Sequence, residues 1–118
     1  MSETPVQVVP DELHAREVAD TFRLLSDPTR VRILWALLHG ELNVGTLADL
    51  VDANPTAVSQ HLSKLRLAGL VQTRREGTFV HYSADDAHVR RLLTEALSHA
   101  EHTTGTASAD GHEHRYRS

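Results

Sequence analysis

The chain is 118 residues long, carries a formal net charge of −4 and contains no cysteine. That length suits one small domain with a real core, and the missing thiols exclude disulfides, thiolate metal sites and thiol redox switching, which leaves imidazole and carboxylate as the available metal ligands. No apolar run reaches membrane-spanning length, and Met1 to Pro10 lacks the segments of a secretory signal, so the expected setting is the cytoplasm, with no membrane partner.

Residues 1–10 are polar, include two prolines and read as a flexible arm. The folded domain is expected over residues 11–102, followed over 103–118 by a disordered, histidine-containing tail in which Thr, Gly, Ser and Ala take over. Leu13, Val18, Phe22, Leu24 and Leu25 recur at helical spacing and predict a first helix ending near Ser26. Asp27 before Pro28 is an N-cap with proline at the first helical position, and Val31, Ile33, Leu34, Trp35, Leu37 and Leu38 carry a second helix to Gly40. Phe22, Trp35 and Tyr82 are expected in the core.

Val44, Leu47, Ala48, Leu50 and Val51 predict a short third helix. The turn Asp52-Ala53-Asn54-Pro55 opens a fourth, from about Pro55 to Ala68, with Val58, Leu62, Leu65 and Leu67 inward and Ser59, Gln60, Ser63, Lys64 and Arg66 more outward. Gly69 stops it. Two short helices joined by a tight turn, the second polar on its outer side, form a helix-turn-helix. Leu70 to Arg75 and Thr78 to Ser83 then predict a hairpin turning at Glu76-Gly77, placed as a wing. The fold class is mostly α with a small β-hairpin, a winged helix-turn-helix.

Charge is distributed accordingly. From Asn54 to Ser83 the charged residues are Lys64, Arg66, Arg74, Arg75 and Glu76, a net of +3 against −7 for the remainder. Double-stranded DNA needs such a locally basic surface. On the fourth helix Ser59 and Gln60 suit base edges, while Thr56 and Lys64 reach bases or phosphates. His61 either packs locally or approaches DNA, and Arg74 and Arg75 suit phosphates.

The last predicted helix starts at Asp86. Val89, Leu93, Ala96 and Ala100 form one stripe, and His88, Leu92, Glu95, His99 and His102 another. Asp86, His88, His99 and His102 have the spacing D-x-H-x10-H-x2-H, which cannot close around one metal within a chain. Eleven residues span roughly 16 Å of helix, against metal–nitrogen bonds of about 2 Å. An eleven-residue step returns to within roughly 20° of the same face, however, so an antiparallel second copy would set its His99 and His102 beside Asp86 and His88. The pattern predicts a homodimer with two sites. Asp86 also fits an N-cap, and either role or both suit it. His14, His39 and His81 are isolated and are assigned no ligand role. No glycine-rich loop or nucleophile motif points to an enzyme.

The order of elements, the stretch Phe22-Arg23-Leu24-Leu25-Ser26-Asp27-Pro28-Thr29-Arg30-Val31-Arg32-Ile33-Leu34, the stretch Val58-Ser59-Gln60-His61-Leu62-Ser63-Lys64-Leu65-Arg66, and Ala68-Gly69-Leu70-Val71 together resemble the ArsR/SmtB family of dimeric winged-helix repressors, over roughly residues 12–102. The resemblance implies a dimer through the N- and C-terminal helices whose metal-free form binds operator DNA and which an inducer metal releases. A metal exporter is the implied target. The family's thiol site falls on Glu41-Leu42-Asn43-Val44-Gly45-Thr46, where cysteine is absent. Its C-terminal-helix site matches Asp86, His88, His99 and His102, in the manner of zinc sensors and, with histidine in the fourth position, closer to the nickel- and cobalt-sensing branch. The implied inducer is Ni2+ or Co2+, with Zn2+ as the other possibility. Further ligands in that branch come from chain termini; here Glu101, His112, Glu113 and His114 are candidates, whereas Ser2 and Glu3 stand where some relatives place an N-terminal histidine. A winged-helix regulator without metal input, its histidines structural at the dimer seam, is the alternative.

Overall fold

Every helix begins on a side chain that accepts a backbone N–H from its own first turn. The computed structural model describes residues 8–84 and 86–107 and contains α1 (Glu12–Leu24), α2 (Pro28–Leu37), α3 (Val44–Val51), α4 (Pro55–Leu67), β1 (Gln72–Glu76), β2 (Phe79–Ser83) and α5 (Ala87–Ala107). The capping oxygens belong to Asp11, Asp27, Asn43, Asn54 and Asp86. Each satisfies a donor that the helix itself cannot. Pro28 and Pro55 occupy first-turn positions where a missing N–H is harmless.

The core lies where α2, α3, α4 and α5 converge. Ile33, Leu34 and Leu37 of α2, Leu47 of α3, and Val58, Leu62 and Leu65 of α4 are almost wholly buried, and Val89 and Leu93 close it from α5. At about 1.5–3 kcal/mol for each fully buried aliphatic side chain, this cluster dominates the folding energy. Three arginines tie the helices together by donating to C-terminal carbonyls, which have no partner within their own helix. Arg30 Nη1 reaches Leu24 O at 2.8 Å, Arg32 Nη1 reaches Val51 O at 3.1 Å, and Arg90 Nη2 reaches Leu38 O at 2.6 Å.

α3 ends at Asp52 in the left-handed region (φ 54°), and Asn54 caps α4 two residues later. This is the helix-turn-helix. β1 and β2 pair antiparallel, Thr73 opposite Tyr82 and Glu76 opposite Phe79. Leu42, between α2 and α3, adds two backbone hydrogen bonds to Tyr82 and so roots the wing on the helical body.

Several expectations need correcting. The wing turns at Gly77-Thr78, one residue later than Glu76-Gly77, because the two-residue loop demands positive φ at its first position and Gly77 (φ 62°) meets it there. Leu67 is 90% exposed: α4 has reached its last turn, and the body behind it has ended. Phe22 is 55% exposed rather than core, because α1 buries none of its residues within one chain. Trp35 and Tyr82 are half-buried against the core. α2 stops at Leu37, short of Gly40. α5 continues to Ala107, past the expected tail boundary at 103, since no proline interrupts residues 103–107 and a lone glycine only weakens a helix.

Candidate metal centre and nucleic-acid interface

The α5 face is built from its cap outward. Asp86 Oδ1 accepts the backbone N–H groups of His88 (2.8 Å) and Val89 (3.0 Å), so the N-cap role is real and Oδ2 is left for another partner. Val89 and Leu93 anchor the helix, and His88, His99, Glu101 and His102 are exposed. Arg91 Nη2 lies 2.9 Å from His88 Nδ1, which therefore uses that nitrogen's lone pair when neutral. Among the described residues no three His, Asp or Glu side chains come together around a point where a metal could sit. The unbroken helix from Ala87 onward accounts for this, since it holds His88 and His99 about three turns apart. The donor set nonetheless fits a borderline divalent metal: imidazole and carboxylate, exposed, on one continuous helix. His112, Glu113 and His114 lie outside the described residues.

A second surface comprises α4 and the wing. Thr56, Ser59, Gln60 and Lys64 are exposed, while Val58, Leu62 and Leu65 fix the opposite face of α4 in the core. His61 departs from its polar neighbours. It is half-buried, and its Nδ1 accepts Arg30 Nε–H at 3.1 Å. On the wing, Arg75 is exposed and has no side-chain partner among the described residues. Arg74 is exposed but engaged: Nη2 meets Glu41 Oε1 at 2.8 Å, Nε meets Oε2 at 3.0 Å, and Glu76 lies 3.6 Å from Nη1. Hydrogen bonding from Arg74 holds the Glu41 carboxyl below its ordinary range, and Glu41 raises Arg74 in return. Asp27 is also lowered, first by the backbone N–H of Arg30 that it caps, with the Arg30 charge acting in the same direction. Glu41 and Arg30 carry no local sequence signal: their partners lie 33 and 31 residues away.

Behind α5 an apolar cavity of about 670 Å³ opens between α1, α2 and α5, lined among others by Phe22, Leu25, Trp35, Leu92, Ala96 and Leu97. Leu13 (67% exposed) and Val18 (53%) extend the apolar surface along α1. No helix is long and apolar enough to cross a membrane among the described residues.

Residues 27–73, from the cap of α2 into β1, match the family model described as bacterial regulatory protein, arsR family. The HTH-type transcriptional regulator KmtR of Mycobacterium tuberculosis is 48% identical over 85 residues, 72% of this chain and 65% of KmtR, so the chain spans just under two thirds of that relative. The cadmium resistance transcriptional regulatory protein CadC homolog of Staphylococcus aureus is 42% identical over 70% of this chain and 69% of its own length. Among solved structures, NolR from Sinorhizobium fredii superposes with a TM-score of 0.70 at 38% identity, covering 80% of this chain and 96% of NolR. The homodimeric winged helix-turn-helix DNA-binding domain Mb0332 from Mycobacterium bovis superposes at 0.69 with 31% identity, covering 83% and 91%.

Proposed function

Because the chain belongs to the ArsR family of bacterial regulatory proteins, we propose that it is a metal-responsive transcriptional repressor: a homodimer that binds operator DNA when metal-free and is released by Ni2+ or Co2+, or by Zn2+, held between its two α5 helices. It is not an enzyme, and the gene it governs is a metal exporter. The observation that carries this reading is α5 itself, a single continuous helix that caps on Asp86 and sets His88, His99 and His102 on its exposed side. The Mb0332 homodimer supports pairing of two copies. The chain's lack of cysteine argues for a borderline metal rather than a thiol-seeking one, although a cadmium-resistance regulator is among its relatives.

In the dimer, each α4 enters a major groove with Ser59 and Gln60 toward base edges, Thr56 and Lys64 toward bases or phosphate, and Arg75 of the wing on the backbone. The two recognition helices must lie about one helical turn of DNA apart, roughly 34–36 Å. Asp86 and His88 of one protomer face His99 and His102 of the other, so the α5 seam sets that distance. A bound metal would supply a cross-link across this seam, and a dimer held in that geometry no longer matches the half-site spacing. Glu101, His112, Glu113 and His114 stand near enough in sequence to raise the coordination number.

The test is a titration of a fluorescent duplex carrying a palindromic site that the wild-type chain selects from a random pool. Saturating Ni2+, Co2+ or Zn2+ should weaken binding by about 5–150-fold, the usual range of allosteric coupling. Two metals should bind per dimer, and His88→Ala or His99→Ala should abolish both effects. X-ray absorption on the full chain and on a His112→Ala/His114→Ala variant reports whether the tail ligates. Two bound metals without any change in operator affinity would refute the reading. One observation favours a regulator without metal input: Asp86 and His88 both already have structural partners in the single chain. Absence of tight metal binding would select that alternative.

A further inference from the structure

We propose that Arg30 is a positioning residue for operator recognition, a strut that ties the C-terminal end of α1 to the recognition helix through His61. Its two side-chain bonds point to different elements: Nη1 donates to Leu24 O, the last residue of α1, at 2.8 Å, and Nε donates to His61 Nδ1 on α4 at 3.1 Å. Both side chains are half-buried. The backbone of Arg30 is itself pinned, its N–H donating to the Asp27 cap at 3.1 Å. A guanidinium offers its donors in a rigid plane, so the two bonds are geometrically coupled. If the end of α1 shifts relative to α4, one of them breaks.

The arrangement matters because of what lies at each end. α1 buries none of its residues within one chain and exposes Leu13, Val18 and Phe22, and of its apolar residues only Leu24, at its C-terminal end, packs on the core, so a covering partner can reorient the rest of the helix. His61 follows Gln60 and precedes the buried Leu62, at the point where α4 passes from its exposed face to the core. Arg30 therefore links the helix that a partner protomer orients to the helix that reads DNA. This rests on the repressor reading above. His61 serves as an acceptor toward Arg30 rather than as a base-reading group, which fixes its ring as the Nε2–H tautomer.

The experiment compares the selected operator duplex with a scrambled duplex of equal length. Arg30→Lys keeps the charge but cannot hold both partners, and His61→Leu removes the acceptor. Each should weaken operator binding by about tenfold, as expected for losing one charge-assisted hydrogen bond, and leave scrambled-duplex binding within about twofold, because that depends on phosphate charge. His61→Asn, whose Oδ1 replaces Nδ1, should restore most of the loss, and the Arg30→Lys/His61→Leu double variant should be no weaker than either single variant. Nitrogen NMR of the wild type should show the Nε2–H tautomer, a reading independent of whether a variant folds. Additive losses, an His61→Asn variant as poor as His61→Leu, or the opposite tautomer would overturn the strut. A wild-type chain with no preference for operator over scrambled DNA would instead overturn the repressor reading, and the strut's purpose with it.

Discussion

Arg74 of the wing grips Glu41 of the α2–α3 loop through three hydrogen bonds of 2.8, 3.0 and 3.2 Å, across 33 residues of chain. Both side chains are substantially exposed, so the pair contributes little to stability. In the proposed operator complex its effect would fall on DNA binding. Glu41 occupies the fork that would otherwise meet a phosphate, and its negative charge opposes the duplex.

Glu41→Gln should therefore tighten DNA binding and steepen its salt dependence. Freeing one arginine in each wing adds about two neutralised phosphates per dimer, or roughly 1.8 in the slope of log K against log salt. Arg75→Ala, which removes an arginine with no internal partner, should reduce the slope by a similar amount. Anisotropy titrations between 50 and 200 mM salt measure both. An unchanged slope in Glu41→Gln would mean that Arg74 braces the wing and never meets DNA.

Three surface carboxylates add a small acid sensitivity to folding. Asp11 and Asp27 are lowered from an ordinary 3.8 by the helix N–H groups they cap, and Glu41 is lowered from 4.5 by Arg74. Because the folded values lie below the unfolded ones, the stabilisation is complete above about pH 4.5 and disappears as pH falls through the lowered folded values. Thermal melts from pH 6 down to pH 3 should show Tm falling mainly below pH 4. An Asp11→Asn/Asp27→Asn/Glu41→Gln variant, whose asparagines still cap, should lose part of that slope.

Local signals explain what could be read from the sequence. Asp27-Pro28 and Asn54-Pro55 announced two helix starts because capping chemistry is short-range, and Gly69 at φ 79° announced a helix end. The placement of His88 and His99 on one face of α5 was legible because eleven residues is close to three whole turns. The pairs Arg74–Glu41 and Arg30–His61 were not, since side chains more than thirty residues apart meet only after the chain has folded. Phe22 departs from the expected core for a related reason: an apolar stripe announces burial but does not say whether its cover belongs to the same chain.

The capping role of Asp86 and its proposed ligand role can be separated by substitution. Serine caps a helix about as well as aspartate but is a poor metal ligand, whereas alanine does neither. Asp86→Ser should keep the stability of the metal-free protein and weaken metal binding. Asp86→Ala should weaken metal binding equally and also destabilise by about 1 kcal/mol. Calorimetric metal titration alongside urea unfolding resolves the two effects, and full metal affinity in Asp86→Ser would remove Asp86 from the ligand set.

Arg91 sets a constraint on the same site. A neutral imidazole has a single lone pair, and Arg91 occupies that of His88. Ligation by His88 requires Arg91 to withdraw, so Arg91→Gln should tighten metal binding severalfold, by relief of about one surface hydrogen bond and one nearby positive charge. Unaltered metal affinity in that variant would indicate that the contact breaks without measurable opposition.

Phe22 offers the most direct test of assembly. It is 55% exposed beside the cavity walled by Trp35, Leu92 and Leu97, and Leu13 and Val18 prolong the apolar strip along α1. Exposed aromatic and aliphatic groups gathered on one face mark a surface that another protein covers. Phe22→Asp would place an unpaired carboxylate in that surface at a cost of several kcal/mol to association, while leaving the core of α2 to α5 untouched. Sedimentation at micromolar concentration should show a monomer of unchanged helicity, and operator affinity should collapse because one recognition helix cannot span two half-sites. A Phe22→Asp variant that remains dimeric would place the dimer contact on some other face.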